Sequence, residues 1–262
     1  MIVIKYGGHV LESSSQNDVI IETIAKYHQS GGKVVIVHGG GPAISAELLI
    51  HSVESSMFGG YRVTTPEVMH VVQETLSGTV LRNLTNAFIR CGVNAVGISS
   101  GDGGTLRARK FMPIVNGLET DVGYVGEADV VDPKFLELLL DNGYLPIISP
   151  VGVQSDGVAL NINADIATGS IAGALGAQEV LFITDVAGIY RNWPDPSSII
   201  EEISLQDLIE IAPSFSDGMA PKTKAVITAL SSGAKIARVI DGSNNYNIER
   251  AFAGTGGTVV VA

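Results

Sequence analysis

Ile2-Val3-Ile4-Lys5-Tyr6-Gly7-Gly8 and Val34-Val35-Ile36-Val37-His38-Gly39-Gly40-Gly41-Pro42 are built alike: a short β-branched run ends in consecutive glycines. A continuous apolar run, without alternating polar residues, is what a strand buried on both faces requires, as in a parallel sheet. Similar runs recur at Ala95 to Ile98, Pro146 to Ile148, Val180 to Ile183, Ile236 to Ile240 and Thr258 to Val261, between helical patterns such as Asp18 to Gln29 and Asp165 to Leu175. Strands that alternate with crossovers long enough to be helical make βαβ units. The expected fold is therefore α/β, a three-layer αβα sandwich around a largely parallel open sheet. Between Gly103 and Val131 the pattern changes, with Gly117, Gly123 and Gly126 punctuating apolar pairs, and reads as hairpins inserted beside a site. No repeat or Pro/Ser-rich linker interrupts the chain, so any division into lobes falls inside a continuous sheet, near Gly176.

Bulk properties narrow the function. A chain of 262 residues with 45% hydrophobic residues is long and apolar enough to bury a substantial core, which excludes a disordered chain. Its net charge of -11, without a basic patch, repels a nucleic-acid backbone. Gly, Pro, Asp or Asn interrupts every apolar run before the roughly 20 residues that span a bilayer, so no membrane partner is expected. A single cysteine, Cys91, and the absence of a leader pattern read as cytoplasmic.

The glycines sit where chemistry is expected. Ligands of open α/β sheets bind beyond the carboxyl ends of the strands, where backbone N–H groups and helix N-termini converge on anions. Consecutive glycines let an oxyanion approach the backbone without a Cβ in the way. A P-loop signature and a G-x-G-x-x-G turn joining strand to helix are both absent. His38 to Gly41 spells an esterase oxyanion loop, and Gly97-Ile98-Ser99-Ser100-Gly101 spells a nucleophile elbow. That reading fails because all five histidines precede Ser99, whereas the elbow needs a later one as base; Ser99 is read as a turn residue.

Six segments in register carry a resemblance: Ile4 to Gly8, His38 to Pro42, Gly60-Tyr61-Arg62-Val63-Thr64, Asn161-Ile162-Asn163-Ala164-Asp165, Thr184 to Ile189, and Asp217-Gly218-Met219-Ala220-Pro221-Lys222. Together they resemble the N-acetylglutamate kinases of the amino-acid kinase family. The resemblance implies an acyl-amino-acid-binding and dimerisation lobe over 1–175, an ATP-binding lobe over 176–262, and a homodimer. It also implies transfer of the terminal phosphoryl group of ATP to the side-chain carboxylate of N-acetyl-L-glutamate, a step of arginine biosynthesis. Lys5 would then bridge the moving phosphoryl group and the acceptor, Lys222 would neutralise the leaving ADP, and Asp165 would hold both lysines. Gly40, Gly41, Arg62 and Asn161 would bind the acidic amino acid, Gly7 and Gly8 the phosphate, and Thr184, Asp185, Gly218 and Met219 the nucleotide. This division of labour suits phosphoryl transfer, in which catalysis is mostly positioning and electrostatic stabilisation. Arg62 offers a planar fork that pairs bidentately with a carboxylate. Asp165 also has the composition of a helix cap, and Lys5, Lys222 and Arg62 that of solvated surface cations. No metal-ligand cluster stands out, so Mg²⁺ is expected to arrive with ATP, held by phosphate oxygens and water.

Two departures bear on regulation. Gly254-Thr255-Gly256-Gly257-Thr258 and Asp241-Gly242-Ser243 differ from the family's usual C-terminal patterns. The chain starts directly at its first strand, without the extra N-terminal helix of arginine-inhibited hexamers, which implies an arginine-insensitive dimer. Rival readings are a kinase of carrier-protein-linked aminoadipate or glutamate, and a sensing module without turnover. The acidic surface disfavours the first, and the retained Lys5, Asp165 and Lys222 disfavour the second.

Overall fold

All seven apolar runs form strands of one sheet in the computed structural model, which describes residues 1–8, 14–115, 117–215, 219–243 and 245–262. The strands are β1 (Ile2–Tyr6), β2 (Val34–His38), β3 (Ala95–Ser99), β4 (Leu145–Ser149), β5 (Glu179–Thr184), β6 (Glu202–Ser204), β7 (Ile236–Asp241) and β8 (Thr258–Val261). Their spatial order is β6-β8-β7-β5-β1-β2-β4-β3, and all neighbours run parallel except β7 and β8. The sequence pattern missed β6, whose only buried apolar side chain is Ile203.

Every residue of β2 is buried, because helices cover both faces of the sheet. Val3, Val35 and Val37 pack with Ala167 and Ile171 of the helix Ala164–Ala174 and with Val226 and Ala229 of the helix Met219–Ser231. Ile4, Ile36 and Leu181 face the other way, onto Ile20 and Ile24 of the helix Ser14–Gln29 and Leu84 and Phe88 of the helix Leu81–Arg90. Full burial of each such side chain contributes about 1.5–3 kcal/mol, and the two clusters join the sheet to the helical outer layers of the αβα sandwich.

Two features of the fold position the site. First, the helices Ala164–Ala174 and Met219–Ser231 touch backbone to backbone. A Cβ on Gly169 would lie 3.1 Å from Ala225 O and Ala229 N, and one on Gly173 would lie 2.2 Å from Ser232 Cβ. Each helix leads into one of two adjacent parallel strands, β5 and β7, so their N-termini point to the same end of the sheet. Second, the predicted hairpin region is present as antiparallel strands Leu106–Lys110 and Val125–Val131. These close with Val151–Val153 and Ala159–Ile162 into a small four-stranded barrel, a closure the sequence did not suggest. The barrel interior is narrow: a Cβ on Gly152 would lie 2.4 Å from Ile162 Cδ1. β5 lies directly beside β1, so the segments 1–175 and 176–262 share one continuous sheet.

Candidate active site

β1 and β2 end side by side, with Tyr6 opposite His38, and the chain turns at the glycines immediately beyond. Gly39 N–H donates to Tyr6 O at 2.8 Å. A Cβ on Gly8 would lie 3.1 Å from both Gly40 N and Pro42 Cδ, and one on Gly40 would lie 2.5 Å from Leu76 Cδ2. The two turns are therefore in backbone contact, which side chains at these positions would prevent. Leu76 is placed there by a π-helical segment, Glu74–Val80, inserted between the helices Pro66–Gln73 and Leu81–Arg90.

Beyond these turns lies a cleft of about 310 Å³ whose walls include Lys5, Gly8, Gly40, Gly41, Arg62, Asn161 and Asp165. Seven of the residues singled out in the sequence are thus brought together from four separate stretches of chain. Gly7 is buried and does not line the cleft. Gly41 and Pro42 open the helix Gly41–Ile50, whose first N–H groups have no intrahelical partners and suit an anion.

Charge is arranged in two pairs. Lys5 Nζ lies 3.1 Å from Asp165 Oδ1, with 15% and 19% of the two side chains exposed, so solvent screens this pair far less than a surface one. Asp165 is free for Lys5 because the capping falls to its neighbour. Asn163 Oδ1 accepts from Asp165 N at 2.8 Å and from Ile166 N at 3.4 Å. Lys222, in the first turn of the helix Met219–Ser231, places Nζ 3.4 Å from Asp185 Oδ1. Each lysine is thus paired with a carboxylate among the described residues, Lys5 with Asp165 and Lys222 with Asp185. Asp185 also accepts from Thr184 Oγ1 at 2.8 Å. Burial opposes its ionisation, but the bond from Thr184 and the charge on Lys222 outweigh that and hold its carboxyl below the usual range. Met219 is buried against Val186 and Tyr190, and Gly218 lies outside the described residues.

Arg62 enters the cleft from the hairpin Met57–Phe58 and Tyr61–Arg62, which turns at Gly59 and Gly60 with φ of 56° and 83°. Its Nη2 donates to Ser45 Oγ at 2.8 Å and its Nη1 to Ser55 Oγ at 3.4 Å; partial burial shifts its pKa downward. Asn161 Nδ2 donates to Thr64 Oγ1 at 3.3 Å, tying the barrel to the loop after Arg62. Sequence reasoning did not single out Ser45 or the capping role of Asn163. An asparagine just before a helical pattern could have signalled the cap. Ser45 meets Arg62 across 17 positions and left no local signal.

Comparison with known proteins extends the geometry. The family model for the amino acid kinase family matches residues 1–241. An acetylglutamate kinase from Paenarthrobacter aurescens (strain TC1) is 41% identical over 251 residues, covering 92% of this chain and 79% of the relative. One from Kineococcus radiotolerans is 40% identical, covering 100% of this chain and 90% of the relative. Among solved structures, N-acetylglutamate synthase from Neisseria gonorrhoeae superposes with a TM-score of 0.84 at 24% identity, covering all of this chain, which spans 59% of that one. This last likeness bears on the fold alone. A glycine-walled cleft at the strand ends, a family match over most of the sequence and relatives at about two-fifths identity lead to one conclusion: the chain belongs to the amino acid kinase family.

Proposed function

We propose that the chain transfers the γ-phosphoryl group of ATP to the side-chain carboxylate of N-acetyl-L-glutamate, forming an acyl phosphate and ADP. The carrying observation is the Lys5–Asp165 pair set against the Gly8 and Gly40 turns, with Arg62 in the same cleft. An ionised carboxylate needs no base: its oxygen attacks the γ-phosphorus, that P–O bond forms, and the bond to the β-phosphate oxygen breaks. Lys5 balances charge on the moving group, and Asp165 fixes where the ammonium stands. Gly8, Gly40 and Gly41 offer N–H donors to the acceptor and phosphoryl oxygens, and Gly7 lets the first turn approach. Arg62 pairs with the α-carboxylate, and Asn161 binds the α-carboxylate or the amide. Lys222, steadied by Asp185, faces the leaving ADP, and Thr184, Asp185, Gly218 and Met219 border the nucleotide.

Mg²⁺ would neutralise phosphate charge, carried in by ATP and held by its phosphate oxygens and water. We assign the acyl-amino-acid side to residues 1–175 and the nucleotide side to 176–262. The position of β3 as the end strand of the sheet among the described residues and the half-exposed Ile89 on the adjoining helix support a homodimer, and we place the protein in the cytoplasm. The test is an ATP-dependent hydroxamate assay with N-acetyl-L-glutamate, L-glutamate and N-acetyl-L-aspartate in parallel, repeated with Lys5→Ala. A signal confined to N-acetyl-L-glutamate and lost in the variant is expected. Silence with all three acids overturns the reading and points to a carrier-linked acceptor or a sensor.

A further inference from the structure

His38 is fully buried at the end of β2, and the reaction described above makes no use of it. Its Nδ1 lies 2.8 Å from Gly39 O, so Nδ1 carries a hydrogen and donates it to that carbonyl. Nε2 is then a bare acceptor in the neutral ring, and it has no partner among the described residues. A buried unsatisfied nitrogen costs stability, and an aliphatic side chain would fill the same space without that cost. What an aliphatic residue would not supply is the bond to Gly39 O.

The consequence of that bond follows from peptide planarity. In a trans peptide the carbonyl of Gly39 and the N–H of Gly40 point in opposite directions. By strand alternation His38 lies on the face of Val34 and Ile36, under the helix Leu81–Arg90, whereas Lys5 shares the opposite face with Val3. A carbonyl held toward His38 therefore turns the Gly40 N–H away from the core and toward the cleft that Gly40 and Lys5 line. Gly40 N–H has no acceptor among the described residues, while Gly39 N–H is fixed on Tyr6 O at 2.8 Å. We propose that His38 is a positioning residue: its Nδ1–H locks the Gly39–Gly40 peptide so that the Gly40 N–H is presented to an anionic oxygen of the substrate or the transferring group. Burial holds the imidazole pKa down at about 4 against the opposing pull of Gly39 O, so the ring is neutral near pH 7.

The proposal rests on the phosphotransferase reading, and its test separates the two. Asparagine places Nδ2 where histidine has Nδ1, whereas glutamine reaches toward the Nε2 position. His38→Asn is expected to keep kcat within about fivefold of the parent, and His38→Gln to lose at least about tenfold in kcat with KM for ATP unchanged, as for the loss of an oriented donor. The second readout is the NMR resonance of the Gly40 amide in the substrate-free protein, which reports the orientation of the Gly39–Gly40 peptide and is expected to move farther in His38→Gln than in His38→Asn. Equal kcat in the two variants, or activity that merely follows their melting temperatures, overturns the proposal. Parent protein silent in the hydroxamate assay overturns the kinase reading instead; the Gly40 resonance then decides the role of His38, and a resonance that moves no farther in His38→Gln than in His38→Asn refutes it.

Discussion

Gly173→Ala tests whether close contact between two helices sets the nucleotide side of the cleft. The added Cβ would lie 2.2 Å from Ser232 Cβ and 2.7 Å from Ser232 O. Comfortable carbon contacts begin near 3.5 Å, so the helices must part by roughly 1 Å at this level. Ser232 Cβ and O sit on or next to the main chain and no side-chain rotation moves them away, which puts the overpacking cost near the top of the usual range, about 3 kcal/mol. Alanine returns about 1 kcal/mol of helix propensity, leaving a net loss of about 2 kcal/mol. At Gly169 the nearest atoms are 3.1 Å away, so Gly169→Ala should be close to neutral. Parting the helices also shifts Lys222, at the start of the helix Met219–Ser231, and a displacement of about 1 Å costs up to 100-fold in rate. Urea unfolding and hydroxamate kinetics read the two effects. Gly173→Ala is expected to lower the midpoint and kcat/KM for ATP, with KM for the acid substrate unchanged. Wild-type behaviour of Gly173→Ala, or greater damage from Gly169→Ala, refutes the reasoning.

Asp165→Asn leaves the cap on Asn163 intact, so melting should move by no more than about 4 °C while kcat falls on the order of 100-fold through a misplaced Lys5. Arg62→Lys keeps the charge and loses the fork; KM for the acid substrate should rise about 10- to 100-fold with KM for ATP unchanged. His38 has a folded pKa of about 4 against 6.5 when free, so the unfolded chain takes up its proton first as pH falls. Its contribution is complete above pH 6.5 and declines by about 3 kcal/mol toward pH 4, a slope that unfolding titrations should find missing in His38→Leu.

The strands were legible where burial on both faces left continuous β-branched runs, as in β1 and β2. β6 was not, because a three-residue edge strand with one buried apolar side chain has no period to detect. The barrel was half legible. The hairpin Leu106–Lys110 with Val125–Val131 is local and glycine-punctuated, whereas the parallel pairing of Val125–Val131 with Ala159–Ile162 joins distant segments and leaves no local mark. In the site, Lys5, Gly8, Gly40 and Gly41 could be read because glycines at parallel strand ends have one main physical use. Asn163 and Asp165 could not be told apart as caps, since both residue types suit that position. The extended backbone of Asn163, φ -61° and ψ 125°, decides between them.

The two lysines reach the site by routes of different strength. Lys5 is fixed by strand register between β2 and β5, at the centre of the sheet, and by a carboxylate at 3.1 Å that is itself mostly buried. Lys222 depends on a helix that rests on its neighbour through Gly169 and Gly173, and on a longer contact to Asp185, whose side chain is 60% exposed. Local opening begins where buried contacts are fewest, so the helix start at Lys222 is the softer of the two. A firm Lys5 and a softer Lys222 suit a reaction in which the acceptor must be held in line while ADP has to leave after each turnover.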